Sequence, residues 1–420
     1  MYKKRREQYL NKIESHSLSL FFSGKAPQRS NDQNYPFSVN RNFFYLTGID
    51  QQNVCLLVAK GEKDAACYLF IEKVDPVKAL WDGAGHTFEE AAKIADLELK
   101  DIKDITTLDQ TISQLLSTSR RALFGSIEQI YLDLERQSNL SEPTIPIQYA
   151  QKLKELYPFI QTKTNQMILA ELRMVKDQDE IEKVKRALAI TQMGLNQIMF
   201  TLQPDKYEYQ IQAEYNFVLN ANRTIPSFDT IAASGKNATV LHYVENKDQI
   251  KNGDLILFDL GVEYEHYCSD ITRVYPANGK FTKRQKEIYE VVLKANKETI
   301  KWLKPGVSVQ EFFDYGKNIL IEGAKQLGLI KEDAEINKYY YHSLGHYLGL
   351  DVHDVGNYSL PIPEGALITI EPGLYIAEEG IGIRIEDDVV VTSKGCINLS
   401  KDIIKEVTDI EAFMTSKKNK

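Results

Sequence analysis

Residues 254–273 read Asp-Leu-Ile-Leu-Phe-Asp-Leu-Gly-Val-Glu-Tyr-Glu-His-Tyr-Cys-Ser-Asp-Ile-Thr-Arg, two apolar runs around a short polar break. Ile, Leu, Val, Tyr and Thr recur in both runs, a strand-like composition, so the segment predicts a β-hairpin. With Tyr264 and Glu265 as a two-residue turn, Asp259 stands directly opposite Asp270. Directly opposed residues carry their Cβ atoms about 4.5–5.5 Å apart, so two carboxylates share one small volume. Like charges at that distance weaken the pairing and push one pKa upward. A cation seated between them relieves both effects, and so does a hairpin face open to water. This segment alone leaves both readings standing.

Working outward, 420 residues exceed one ordinary domain and can bury at least one sizeable core. A net charge of −8, with no extended basic patch, argues against a nucleic-acid partner. Lys3, Lys4, Arg5 and Arg6 are not followed by a signal-peptide core. No apolar run approaches the roughly 20 residues that span a bilayer. Cys55, Cys67, Cys268 and Cys396 are widely spaced with no CxxC pair, as reduced thiols of a cytoplasmic protein would be. The expectation is a cytoplasmic protein with no membrane partner.

The first part of the chain reads as an α/β unit. A helix is expected over 5–15 and strands over 17–23, 53–59, 65–72 and 129–133, with helical periodicity near 87–97 and 108–118. Trp81, in Leu80-Trp-Asp-Gly83, lies beside a Gly-rich turn and outside any periodic apolar face. The character changes at Glu171-Leu-Arg-Met-Val-Lys-Asp-Gln-Asp-Glu, where Asp177 or Asp179 can cap a long amphipathic helix. The boundary is placed there, giving domains 1–170 and 171–420. Further helices are expected near 207–221, 283–303 and 308–326, and strands near 228–234, 254–262, 267–275, 366–370 and 382–392. The tail Ser416–Lys420 is a short basic run.

Five of the seven histidines fall between 242 and 353, three of them in His342-Ser-Leu-Gly-His346-Tyr-Leu-Gly-Leu-Asp-Val-His353. The His342 and His346 spacing matches HExxH, but Ser343 stands where the glutamate belongs and Gly345 and Gly349 oppose a helix. The glycines instead suggest strand or loop backbone approaching a ligand closely. Downstream, Ile368-Thr-Ile-Glu371 is an apolar strand ending in a carboxylate and stopped by Pro372-Gly373. Ile381-Gly-Ile-Arg384-Ile-Glu386-Asp-Asp-Val-Val-Val reads as one alternating strand, with Arg384 and Glu386 on one face and Ile383 and Ile385 on the other. Singly, each acid reads as a structural ion pair or a strand-end charge. Taken together, Asp259, Asp270, His346, Glu371 and Glu386 are four carboxylates and one imidazole on elements that otherwise read as core. Two divalent cations balance four carboxylates. An oxygen-rich set with one nitrogen suits Mn²⁺ first, and Co²⁺ or Zn²⁺ after it.

The order Asp259-Leu-Gly, Ser269-Asp-Ile-Thr-Arg, His346 with His353, Glu371-Pro-Gly and Arg384-Ile-Glu-Asp resembles the pita-bread metallopeptidases. That family includes aminopeptidase P, prolidase and methionine aminopeptidase, and the chain is most similar to its aminopeptidase P branch. Arg29-Ser-Asn-Asp, Tyr45-Leu-Thr-Gly and Trp81-Asp-Gly resemble that branch's N-terminal domain. The resemblance implies an aminopeptidase P-type α/β domain followed by a pita-bread catalytic domain, six-stranded and pseudo-symmetric, holding a dinuclear metal centre. It implies that Asp259 binds one ion, Asp270 and Glu386 bridge both, and His346 and Glu371 bind the other. His242 and His353 are implied beside the substrate carbonyl, and His342, Arg384 and Tyr375 behind the ligands. Trp81 matches a tryptophan that in some relatives reaches a neighbouring subunit's active site, which implies a homodimer or homotetramer.

The implied reaction is hydrolysis of the bond before proline in peptides with proline at the second position, through a metal-bridging hydroxide. Glu371 would shuttle the proton. His266, Ser343, Gly345 and Tyr347 depart from the common pattern, and the insertion some relatives carry after Tyr375 is short. No Arg or Lys occurs between Gly356 and Ile370, where prolidases commonly bind a dipeptide carboxylate, which favours an aminopeptidase over a prolidase. A metal-free hydrolase of the creatinase kind would lack the ligands present here. A non-enzymatic pita-bread binding protein is the alternative of a different class.

Overall fold

Apolar runs in the first part of the chain pair into one mixed sheet. The computed structural model describes residues 1–118, 122–136 and 138–416, so most of the basic run, residues 417–420, lies outside the described residues. Two units separate at Met1–Leu172 and Arg173–Lys420.

In the first unit, strands β1 (Ser17–Phe22), β2 (Cys55–Lys60), β3 (Ala65–Ile71), β4 (Ile102–Asp104), β5 (Gln129–Leu132) and β6 (Gln161–Thr164) lie in the order β4-β3-β2-β1-β5-β6. β1, β2 and β3 are antiparallel neighbours, and the outer pairings are parallel. Lys60 pairs with Ala65 across the Gly61 turn. Helices α1 (Tyr2–Lys12), α2 (Arg41–Thr47), α3 (Pro76–Asp82), α4 (Phe88–Ala95), α5 (Leu108–Leu116), α6 (Ile145–Leu156) and α7 (Gln166–Arg173) accompany the sheet. Leu18, Leu20, Leu57, Phe70 and Ile130 form a core with Ile112, Leu116 and Leu153. The first helix begins earlier than expected because Arg5 and Arg6 are buried: Arg6 donates to the carbonyls of Leu46 (2.8 Å) and Ala95 (2.7 Å), closing helix ends that lack partners. Trp81 is on α3, not beside a loop alone, and is 85% exposed.

The second unit opens with α8 (Gln178–Thr201), capped by Asp177 through a reciprocal box with Glu180, and continues with α9 (Glu208–Ala221). Its strands are β7 (Ile225–Pro226), β8 (Ile231–Ser234), β9 (Leu255–Leu260), β10 (Val262–Tyr264), β11 (Tyr267–Cys268), β12 (Ile271–Pro276), β13 (Leu367–Ile370), β14 (Gly373–Ile376), β15 (Ile381–Arg384), β16 (Asp387–Thr392) and β17 (Gly395–Asn398). They form three-stranded ladders β12-β9-β8, β13-β16-β17 and β11-β10-β7, and the pair β14-β15. α8 packs on β10 and β11 and α9 on β7 and β8, while α10 (Lys283–Trp302) packs on β13, β14, β15 and β17 and on α11 (Val309–Gln326). α12 (Val407–Ser416) follows. Among the described residues no helix is long and apolar enough to cross a membrane.

The hairpin register differs from expectation. The turn is Glu265-His266, both at positive φ (48° and 67°) as two-residue hairpin turns of the primed type require. Asp259 therefore pairs with Thr272, not with Asp270. The ladder also breaks at Gly261, where a Cβ would stand 1.8 Å from the Ser269 carbonyl oxygen, so only glycine allows the strands to close. Because the slip is two residues and the side-chain period is two, Asp259 and Asp270 keep a common face.

The expected strand 382–392 is likewise two strands. β15 pairs with β14 and β16 with β13, and the chain crosses between them at Ile385-Glu386, whose N–H groups donate to Pro372 O (3.2 Å) and Thr272 O (3.1 Å). Pro372-Gly373 ends β13 but does not end strand structure, since β14 begins at Gly373.

Candidate metal centre

Each chemical side chain reaches the second unit's interior for a local reason. Asp259 is carried by β9 between Ile231 and Thr272. Asp270 sits in the gap between β11 and β12, where its N–H donates to Asp388 Oδ2 (3.1 Å). Glu371 follows the last residue of β13, its N–H bound to Leu344 O (2.8 Å). Glu386 occupies the crossing from β15 to β16.

The histidine loop has no helix, as its glycines imply, but their close approach is to backbone and side chain of this chain. A Cβ on Gly345 would stand 2.0 Å from the Thr369 carbonyl oxygen. That contact lets His346 N–H reach Thr369 Oγ1 (3.1 Å) and its carbonyl accept from Thr369 N (2.9 Å). His346 Nδ1 lies 3.0 Å from Tyr347 O, an acceptor only, so Nδ1 holds the proton and Nε2 presents a lone pair. The loop is braced from below by Asp354, which binds Lys176 Nζ (2.9 Å) and Arg173 inside the unit, while Arg173 also reaches Asp351 (2.8 Å).

The ligand atoms of Asp270, His346 and Glu386 all fall within 4.8 Å of one another. His346 Nε2 is 3.5 Å from Asp270 Oδ2 and 3.6 Å from Glu371 Oε1. Asp259 stands apart from that tightest group: its Oδ2 pairs with Arg384 Nη2 (2.5 Å), while its Oδ1 is buried without a hydrogen bond. All five line one cavity of about 480 Å³, together with His242, His342, His353 and Arg384. His353 packs edge-on against His346 with ring centroids 4.3 Å apart. His242 is exposed on a turn at the cavity wall. Trp81, in the first unit, is not among the cavity's lining residues.

Behind the acids runs a directed chain of hydrogen bonds. Arg384 donates to Thr272 Oγ1 (2.9 Å) and Tyr375 OH (2.8 Å), and Thr272 Oγ1 donates to Glu386 Oε2 (2.7 Å). His342 Nδ1 gives its proton to Ser343 O (2.7 Å), so its Nε2 accepts from Tyr375 OH (2.8 Å). Burial, then Arg384, pushes His342 down to about 3, which keeps it neutral. Arg273, fully buried, ties Glu386 in place from the other side. It donates to the Glu386 carbonyl, to Asp387 Oδ1 (2.8 Å), and to the carbonyls of Ile403 (3.1 Å) and Ile404 (3.3 Å).

Burial drives the Asp270 and Glu386 carboxyls far above the ordinary range, and the acids beside them push further. Glu371 is raised too, by burial, against the pull of His346 and Arg384. Burial and then His346 and His242 lower His353. Sequence reasoning missed Asp388, a buried acid with an unpartnered Oδ1 and a raised pKa, and Asp229 on the cavity wall. It also missed Thr272, although Thr272 shares a strand face with Asp270 two residues away.

These groups fit divalent metal. Five carboxylates, those of Asp229, Asp259, Asp270, Glu371 and Glu386, share one cavity with a single guanidinium, one buried oxygen lacks any donor, and the imidazole lone pair points at the acids. Oxygen donors with one nitrogen are a hard-to-borderline set.

Comparison with known proteins gives the family and the fold. The family model "Metallopeptidase family M24" matches residues 182–393, and "Aminopeptidase P, N-terminal domain" matches residues 2–124. Xaa-Pro aminopeptidase of Haemophilus influenzae is 34% identical, over 98% of this chain and 96% of that one. A solved structure from Bacillus anthracis superposes with a TM-score of 0.95 at 43% identity, covering 99% of this chain and 98% of the other. Aminopeptidase P from E. coli with the inhibitor Pro-Leu gives 0.88 at 30% identity, covering 100% and 98%.

Proposed function

The chain belongs to metallopeptidase family M24, with an aminopeptidase P N-terminal domain ahead of the catalytic one, and from that we propose a metal-dependent aminopeptidase that hydrolyses the N-terminal Xaa-Pro bond of peptides. The observation that carries this reading is the convergence of Asp270, His346 and Glu386, with Glu371 3.6 Å from His346, in one substrate-sized cavity.

In this reading Asp259 would hold one ion, His346 and Glu371 would hold a second, and Asp270 and Glu386 would serve both. The oxygen majority favours Mn²⁺, with Co²⁺ or Zn²⁺ acceptable to the same donors. When bound, such a pair supplies Lewis acidity at the scissile carbonyl and hydroxide at neutral pH. Glu371 would take the proton from the attacking water and give it to the proline nitrogen as the C–N bond breaks. In the same reading His353 and His242, both on the cavity wall, would offer N–H donors to the developing oxyanion. Arg384, fixed by Tyr375 and Thr272, orients Asp259, while the Thr272 hydroxyl holds Glu386. Phe228, Ile231, Leu241, Val244, Val352 and Tyr358 supply apolar wall for the substrate, including a proline ring that has no N–H to satisfy. The same reading places the protein in the cytoplasm as a homodimer or homotetramer, with the exposed Trp81 meeting substrate at a neighbouring copy.

The test is to strip and restore metal and to compare Xaa-Pro dipeptides with Xaa-Pro-Yaa and longer peptides. Metal-dependent release of the first residue from the longer peptides is expected. Cleavage confined to dipeptides would make the protein a prolidase, and absence of metal uptake on elemental analysis would make it a binding protein.

A further inference from the structure

One buried carboxylate closes the segment that carries His242. Glu208, the first residue of α9, is fully buried, and five donors converge on it. Oε1 accepts from Ser234 N (2.7 Å), Ser234 Oγ (2.7 Å) and Asn237 Nδ2 (3.1 Å). Oε2 accepts from Tyr243 OH (2.8 Å) and Asp248 N (3.0 Å). Between Ser234 and Asp248 the chain is a short 3₁₀ helix, Gly235–Thr239, followed by irregular backbone, and Leu241, His242 and Val244 from it line the cavity. Asn246 pins the segment as well, to Ala232 N (2.9 Å) and Thr230 O (2.7 Å), but only beyond His242. Glu208 grips both ends and, through Tyr243, the residue next to His242.

We propose that Glu208 is a positioning residue for the reaction: its carboxylate fixes where His242 stands in the cavity without touching substrate. This rests on the reading of His242 as a group beside the substrate carbonyl. The position demands a carboxylate and not merely its shape. Bonds to an ionised acceptor are about twice as strong as neutral ones. Glutamine has the same outline but only one acceptor oxygen. Whichever way its amide is turned, its NH₂ faces either the Ser234 N–H or the Asp248 N–H, donors that cannot reverse. One end of the segment is then released, and His242 with it.

The experiment measures kcat, KM and bound metal for the metal-loaded full chain and for Glu208→Gln, His242→Ala and the double variant, on an Xaa-Pro-Yaa tripeptide. Glu208→Gln should lower kcat about 10- to 100-fold, the scale of a displaced catalytic group, with metal content unchanged. The double variant should be within about twofold of His242→Ala, because the two changes remove one function. Losses that multiply in the double variant overturn the positioning role, as does a Glu208→Gln variant with unchanged kcat. A His242→Ala variant as fast as the parent overturns the assignment of His242, and the proposal with it. Should Glu208→Gln not fold, Tyr243→Phe removes one of the five bonds, and the same non-additivity with a smaller loss is expected.

Discussion

Replacing Asp354 with asparagine should destabilise the second unit by about 3–5 kcal/mol, the cost of breaking a buried ion pair from one side. Both oxygens of Asp354 are engaged, one by Arg173 and Val355 N (3.0 Å), the other by Lys176 Nζ (2.9 Å), and all three charged side chains are at least 97% buried. Asparagine fills the same space but leaves two cations in the interior without an anion, apart from the half-exposed Asp351 that Arg173 also touches. For a unit of this size about 1 kcal/mol moves the melting temperature 2–4 °C, so a fall of roughly 6–20 °C is expected by scanning calorimetry. The sign of the pH dependence is fixed as well. Burial alone would raise the Asp354 carboxyl, but Arg173 and Lys176 outweigh it and hold the carboxyl below its ordinary value. Stability from a depressed acid is complete above the unfolded pKa, about 3.9, and is lost as pH falls through the folded value. The difference between parent and variant should therefore be flat from about pH 5 to 8 and shrink only in acid. A difference under about 1 kcal/mol at neutral pH, the level of an exposed pair, would refute the reasoning, and so would one that grows on acidification.

Three further outcomes follow from the site. Glu371→Gln should cut turnover of an Xaa-Pro-Yaa peptide by at least ~10²-fold, and near-parental hydrolysis would remove Glu371 from the proton's path. Thr272→Val keeps the shape but deletes the hydroxyl between Arg384 and Glu386, so chelator competition should show metal affinity about 10- to 100-fold weaker. Gly345→Ala puts a methyl 2.0 Å from the Thr369 carbonyl oxygen and must displace His346, with a similar loss of metal affinity; unchanged affinity would mean that the loop yields without moving its histidine.

Much of the centre was legible because a carboxylate on an apolar strand is an anomaly that local pattern can register. Asp259, Glu371 and Glu386 each stand beside Leu, Ile or Phe, and the cavity they line is where a lone acid on a buried element has a use. The faces of the hairpin survived a wrong register, since a shift of two residues leaves every side chain on its side. What failed was whatever depends on backbone breaks or on distant partners. Nothing in an alternating run tells that the chain changes sheets at Ile385-Glu386, because both halves satisfy the same period. Glu208 reads as one more acid in a helix's first turn, and its five donors come from the last residue of β8 and from the irregular segment after it. Arg173, Lys176 and Asp354 form one buried cluster although the acid is far along the chain from both bases. Nothing in the run Lys3-Lys-Arg-Arg6 sets its arginines apart from its lysines, yet Arg5 and Arg6 are buried.

The grip of Arg273 on Glu386 and on the carbonyls of Ile403 and Ile404 has a bearing on biosynthesis. A ribosome releases Asp259 and Asp270 long before Glu386, and the guanidinium that steadies Glu386 finds its last acceptors only at Ile404. Until then Glu386 has been made but the carbonyls of Ile403 and Ile404 that fix its brace are still to come. In the proposed reading, secure loading with an ion therefore follows translation of that point, and a product that ends before it lacks part of the brace on Glu386.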